Sequence, residues 1–435
     1  MVNISLSEQE KAEAADWRKE KNIVFPQDIL RDPKLFDIIT VNELDKKISG
    51  ELGTRKALFL SLCSIWVEDV QINTLVNSES SAGKSYVCNA ILDLFPENLV
   101  QRRSKITPEA FTYWHDSRHE PGWTWNGVIC YLEDTAQRVI ESSTFKVMCS
   151  EGMISTVVIN QQAVDIRING KPCMLLTTAS ANPSKEILNR FNTIGLDESE
   201  SQTENVLQKT AEFEENNSSI CYDSNVLEAL KLLQRVPVVI PFATSLVKHF
   251  PKTDLRIRRD FKRFCQLIKT GCALHQFQRK TDNRGNYLAT YDDYELAREA
   301  LRSMQSDFPL GLTHGLRKAY EMCRNMVNTS DHSNGFTVKE IYASYPIYSE
   351  RHWYTIINKL CQHKLLKSNL VKIEGSDKQV TLYLPIANSF ISLPTAKDLE
   401  KNNSNASIPS NTSAANEANE QDDLKITEEQ VRNEY

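Results

Sequence analysis

The chain has 435 residues, 40% of them hydrophobic, and a net charge of −6. That length allows two or three domains, and the charge excludes a uniformly basic nucleic-acid coat while leaving room for a local basic groove. The ten cysteines form no C-x-x-C pair, which argues against structural zinc. Most of them lie in apolar runs, as expected in a reducing compartment. The N-terminus lacks the apolar core of a signal peptide, and no stretch approaches the ~20 apolar residues that span a bilayer. A soluble cytoplasmic protein without membrane attachment is expected.

Residues 1–60 read as an N-terminal helical region, with a polar helix capped by Ser7 near its start. Residues 61–205 alternate short apolar runs with helix-like stretches, the signature of an α/β fold. The strand candidates are "VQINTLVN", "LVQRRS", "GVICYLED", "STVVINQ", "AVDIRING" and "PCMLLTTAS". Residues 206–310 read as a helical lid with no strands. Residues 311–390 give three helix candidates and then two strands, the order of a winged-helix domain. Residues 391–435 are polar and rich in Asn and Ser, which predicts a disordered acidic tail.

"SESSAGKS", residues 78–85, has the spacing of a phosphate-binding loop except that Ser78 replaces the outer glycine. That glycine only starts the turn, and the inner one, Gly83, is intact. Backbone groups of Ser80, Ser81, Ala82 and Gly83 are expected to cradle phosphates, with Lys84 reaching the β- and γ-phosphates and Ser85 ligating Mg²⁺. ATP and Mg²⁺ are the implied ligands.

Such a loop calls for a second strand ending in carboxylates, and "GVICYLEDT" supplies Glu133 and Asp134. Glu133 is assigned to the metal side and Asp134 to the attacking water; the reversed E-D order leaves the split open. The motor reading is made to depend on loop and carboxylates standing on neighbouring strands, near enough to share one magnesium ion. A third strand, "PCMLLTTASANP", ends in Thr177, Thr178 and Asn182. In additional-strand ATPases a polar residue here senses the γ-phosphate, and Thr178 is the first choice, Asn182 the second. Arg190, in "ILNRF", suits a cation that crosses a subunit interface to the transferring phosphoryl group; a plain surface arginine is the competing reading. Arg256, Arg258 and Arg259 open a lid helix, where one could reach nucleotide; a solvated basic face is the alternative.

Taken together these stretches resemble the ATPase modules of primase–helicase proteins of phages, plasmids and integrated elements, AAA+ proteins related to the MCM and superfamily-three helicases. The resemblance covers about residues 27–300 and is carried by "ILRDPKLFDIITVNELDKKISGE", "NSESSAGKS", "KITPEAFTYW", "MCSEGMIS", "LLTTASANPSKEILNRFNTIGLDESESQT" and the R-x-R-R-D and H-Q-x-Q-R runs of "VVIPFATSLVKHFPKTDLRIRRDFKRFCQLIKTGCALHQFQRK". It implies a P-loop NTPase core in a homo-oligomeric ring, usually a hexamer, that hydrolyses ATP at subunit interfaces and moves on single-stranded or forked DNA. It also implies that the hairpin within "ISTVVINQQAVDIRINGK" contacts DNA, with Arg167 and Lys171 its only cations. No primase module is visible, so a primase partner would be a separate chain. In the last helix candidate Arg351, His352, Lys359 and Lys364 lie on or beside the side opposite an apolar stripe, the composition of a DNA-recognition helix; packing or protein contact is the competing use.

The leading reading is therefore a DNA-dependent ATPase and replicative helicase of a mobile element or virus-like replicon. A nucleotide-switched origin-binding or regulatory ATPase that does not unwind is the second. A small-molecule kinase is the third; the sensor strand, Arg190 and the lid argue against it.

Overall fold

The computed structural model describes residues 25–78, 82–150, 153–178, 184–216, 221–250, 257–304, 314–328, 335–362, 365–372, 379–385 and 393–406. The helix expected near Ser7 lies outside them, as do Ser80, Ser81, Asn182, Arg256 and Lys364.

The core is a five-stranded sheet of β1 (Thr74–Asn77), β2 (Val100–Arg103), β3 (Ile129–Leu132), β6 (Cys173–Thr178) and β7 (Asn192–Ile194), in the order β2-β3-β6-β1-β7. Every pairing in it is parallel. β3 and β6 are buried along their whole length, which is why they read as unbroken apolar runs rather than alternating ones. Between β3 and β6 the chain makes an antiparallel hairpin of β4 (Met153–Ile159) and β5 (Gln162–Ile168). Asn160 and Gln161 both take positive φ at its tip, the geometry of a two-residue primed turn.

Side chains alternate along a strand, so each face of the sheet collects every second residue. Val76, Ile129, Tyr131, Cys173 and Leu175 join one apolar core with α1 (Leu52–Leu62) and α2 (Lys84–Leu92). Leu75, Cys130, Leu132, Met174 and Leu176 join a second core with α3 (Ser143–Met148), the base of the hairpin, and Ile187 and Phe191.

One expectation fails here. The phosphate-loop strand β1 and the acidic strand β3 are not neighbours, because β6 pairs with both. Strands lie ~4.8 Å apart, so the two axes are separated by roughly 10 Å. Local sequence marks where strands begin and end; the order in which parallel strands line up is set by how the connecting helices pack.

After β7 comes α4 (Glu200–Asn216), which is exposed along most of its length. The next segment is mainly helical, with α5 (Ile257–Leu274) and α6 (Tyr291–Met304) packed into the first core. It is not free of strands. β8 (Val238–Val239) and β9 (Tyr287–Leu288) pair in parallel; two residues each is too short to register as a hydrophobic pattern. A buried bidentate pair braces this segment, Arg279 Nε and Nη2 donating to Asp293 at 2.9 and 2.6 Å.

A separate apolar cluster organises α7 (His314–Asn328), α8 (Val338–Ser344), α9 (Glu350–Gln362) and the antiparallel pair β10 (Leu366–Lys372) and β11 (Gln379–Pro385). Thr337 and Glu340 form a capping box on α8. Ser349 accepts from His352 N–H at the start of α9.

Part of the stretch expected to be a disordered tail is helical. Residues 396–406 form α10, with Leu399 fully buried in the first core and Tyr294 donating to the Pro394 carbonyl at 2.7 Å. A single leucine anchor in a polar stretch leaves no compositional signal. Among the described residues no helix is long and apolar enough to cross a membrane.

Candidate nucleotide site

The chain leaves the C-terminal end of β1 at Asn77 and enters α2 at Lys84. Gly83 is the turning point. Its φ of +84° is left-handed, and a Cβ there would meet no protein atom within 4 Å. Glycine is therefore required by backbone conformation rather than by crowding within the chain. The turn sets the N-terminus of the nine-residue α2 at the loop with no side chain capping it, so its first N–H groups are free of intrahelical partners. Such an end favours anions. Lys84 and Ser85 are half-buried, and Lys84 Nζ donates to the Ser78 carbonyl at 2.8 Å, closing the loop on itself.

The acidic turn is held from both sides. Glu133 N–H donates to the Arg103 carbonyl on β2 at 3.0 Å, and Thr135 N–H donates to the Thr177 carbonyl on β6 at 2.9 Å. Asp134 N–H donates to the Thr177 hydroxyl at 2.9 Å. Asp134 sits at φ +41° and is exposed, whereas Glu133 is half-buried. Alternation puts Glu133 on the Tyr131 face of β3, the face that α2 covers.

Loop and carboxylate lie at the same end of the sheet, although their strands are not adjacent. The Cys88 thiol on α2 lies within reach of both charges: burial and then the Glu133 carboxylate push its pKa up, while the Lys84 ammonium pulls it down. Tyr131 is central to the same face. Its hydroxyl lies beside Ser85 and Thr177 without strict hydrogen-bond geometry to either, and burial raises its pKa. Ser85 and Glu133 offer hard oxygen donors, which suit Mg²⁺ completed by phosphate oxygens and water. A cavity of about 80 Å³ on the outer side of the turn is lined by Glu133, Asp134, Arg103, Lys105 and Arg138.

Thr177, passed over in favour of Thr178 and Asn182, is the residue that supports the acidic turn. Counting by twos from Cys173 puts Leu175 and Thr177 on the α2 face and Thr178 with Met174 and Leu176 on the other. Thr178 is buried at the β6 end, opposite Asn77 in register. The alternation was available in the sequence; which face α2 covers was not.

Arg190 is elsewhere. It precedes β7, whose first residue pairs with Thr74 at the start of β1, and its carbonyl accepts from Asn73. It therefore stands at the N-terminal end of the strands, roughly 13 Å along β1 from the end that carries the phosphate loop. Arg258 and Arg259, both exposed, lie in the first turn of α5. One turn further on, Arg263 donates to the Asn189 carbonyl at 2.8 Å. The opening of α5 is thus docked beside Arg190 rather than brought to the phosphate loop of the same chain.

The candidate nucleic-acid contacts are separate from this site. Arg167 is exposed on β5, across from Ile154, and Lys171 is half-buried with its N–H donating to Asn126. The outward face of the hairpin is mainly apolar, with Ile154 67% and Val158 76% exposed. On α9, Arg351, His352, Tyr354, Thr355, Asn358 and Lys359 are exposed, opposite the buried Trp353, Ile356, Ile357 and Leu360.

A sequence model of the family described as the MTBMA_p00010 P-loop domain matches residues 28–233. Together with the parallel sheet and the loop-to-helix turn at Gly83, this makes that part of the chain an α/β P-loop domain, of the class that binds nucleoside triphosphates. No curated protein matches the chain.

Proposed function

We propose that this chain is an AAA+-type ATP hydrolase that works as an oligomeric ring on DNA, as the replicative helicase of a mobile element or virus-like replicon. The observation that carries this reading is the division of the charged groups between the two ends of one sheet. The amide cradle at Gly83–Ser85 and the Glu133–Asp134 turn share one end, and Arg190 with the opening of α5 shares the other. A single copy has the means to hold a triphosphate but keeps its interface arginine away from it. A second copy packed head to tail would supply the missing cation, which is how rings close.

In this reading Lys84 and the α2 amides bind the phosphates. Ser85 and Glu133 hold Mg²⁺, which would neutralise the charge developing on the phosphoryl oxygens. Asp134, its N–H held by Thr177, orients the water, with Thr178 and Asn182 as the candidate γ-phosphate sensors. Arg190 of the neighbouring copy stabilises the transferring group, and Arg258 and Arg259 face that neighbour's nucleotide too. With β6 between them, loop and acids share one magnesium ion in this scheme only if the lysine side chain, the metal and the phosphates bridge the width of that strand.

The C-terminal unit fits a winged helix with Arg351, Lys359 and Lys364 toward DNA. A second reading, a nucleotide-switched origin-binding ATPase, is favoured by the contrast between that exposed polar helix and the apolar β4–β5 hairpin with Arg167 and Lys171. A primase on another chain fits either reading. The test is ATP hydrolysis with and without single-stranded DNA, followed by unwinding of a forked duplex. Hydrolysis stimulated by DNA together with unwinding is expected. Hydrolysis without unwinding selects the second reading, and no hydrolysis overturns both.

A further inference from the structure

Arg190 is gripped at two of its three guanidinium nitrogens. Nε donates to the Lys146 carbonyl at 3.3 Å and to the Ser150 hydroxyl at 3.2 Å, near the C-terminal end of α3. Nη1 donates to the Glu186 carbonyl at 3.4 Å and pairs with the Glu186 carboxylate at 3.1 Å. Glu186 is itself held. Its second carboxylate oxygen accepts from Lys146 Nζ at 2.7 Å, and Lys146 also pairs with Glu141 at 3.2 Å. Glu141 accepts from the Ser184 N–H and hydroxyl at 3.1 and 2.9 Å. The Lys146 contact holds the Glu186 carboxyl below the usual carboxylate range, and the same contact raises Lys146. Among the described residues nothing engages Nη2.

A free arginine side chain has rotamer freedom that any productive contact must overcome. Anchoring Nε and Nη1 through two carbonyls, the Ser150 hydroxyl and the Glu186 carboxylate removes much of that freedom beforehand and leaves Nη2 as the remaining donor. Glu186 lies four residues before Arg190 in the same stretch, and the motif reading gave it no role.

We propose that Glu186, oriented by Lys146, is a positioning residue for Arg190: it presets the guanidinium so that Nη2 meets the phosphoryl group of nucleotide bound to the next copy. This rests on Arg190 acting across the interface. Pre-orientation of this kind contributes to turnover and not to nucleotide binding.

The experiment is steady-state ATP hydrolysis by the full chain carrying Glu186→Ala, with nucleotide affinity and the thermal midpoint measured alongside. A drop of about tenfold or more in kcat is expected, with KM, affinity and midpoint unchanged. Mixing it with Lys84→Ala copies, which keep an intact Glu186–Arg190 pair, restores turnover at the Glu186→Ala nucleotide sites. Mixing with Arg190→Ala copies does not. Unchanged or increased turnover overturns the proposal, and so does a loss that the Lys84→Ala copies fail to restore. If Arg190→Ala itself keeps full turnover, the interface reading has failed, and that result is separable from the Glu186 result.

Discussion

The two ends of the parallel sheet are built by different means. At the C-terminal end the candidate nucleotide site comes largely from contiguous stretches: one left-handed glycine, a lysine and a serine opening a helix, and two carboxylates closing a strand. At the N-terminal end Arg190 is set by groups from separate segments, the Lys146 carbonyl and Ser150 hydroxyl by α3 and the Glu186 carbonyl and carboxylate one turn before it, with Arg263 docking α5 alongside. The first end is made mostly of backbone donors, whose direction is fixed by φ and ψ. The second is made of long charged side chains, whose direction is fixed only by what they touch. A binding function can therefore be recognised from a short motif, whereas a function that acts on another copy depends on packing.

The comparison can be broken by disabling one end at a time. Lys84→Ala should have the largest effect, loss of nucleotide binding and of all detectable hydrolysis, read by nucleotide titration and phosphate release. Arg190→Ala should lower kcat by about 10³-fold or more while leaving nucleotide affinity unchanged. Equal loss of binding in both variants would erase the distinction between the two ends.

The helical segment beside the arginine end can be tested through its own support. Asp293 is fully buried and takes both arms of the Arg279 fork, together with the Thr290 N–H at 2.8 Å. Asp293→Ala leaves a buried guanidinium unpaired and should cost about 3–5 kcal/mol, measured by denaturant unfolding. If stability is retained while hydrolysis falls, Asp293 serves the site rather than the scaffold.

The smallest effect concerns pH. His275 is buried with Nδ1 2.8 Å from the Gly271 carbonyl, and burial lowers its pKa below the ordinary 6.5. Arg279 opposes protonation, while Asp293 and Asp292 favour it. In the unfolded chain the imidazole takes up a proton near 6.5, and in the folded chain only at lower pH. Its contribution to stability is therefore complete above about pH 6.5 and falls as the pH drops from there toward the folded value. The thermal midpoint should decline over that interval in the wild type, and less steeply in His275→Asn.

Much of the fold could be read in advance. All six strand candidates correspond to strands, and the helices of α5, α6 and the C-terminal unit stand where their apolar spacing put them. The misses were short or singly anchored elements: the three-residue β7, the β8–β9 pair, and α10 held by Leu399. The strands are too short for a period to emerge, and α10 carries a single apolar anchor in a polar stretch.

The sequence by itself determined the local chemistry: a glycine able to take φ +84°, the lysine and serine after it, the acid pair at a strand end, and the families of residues that alternate along each strand. These depend on covalent geometry and on neighbours a few positions away. Only the tertiary structure decided that β6 stands between loop and acids, that Thr177 and not Thr178 supports the acidic turn, and that Arg190 lies at the far end of the sheet. Strand order and the identity of each face are settled by which helix covers which side, and that choice is made by the packing of whole elements rather than by the preferences of any one segment.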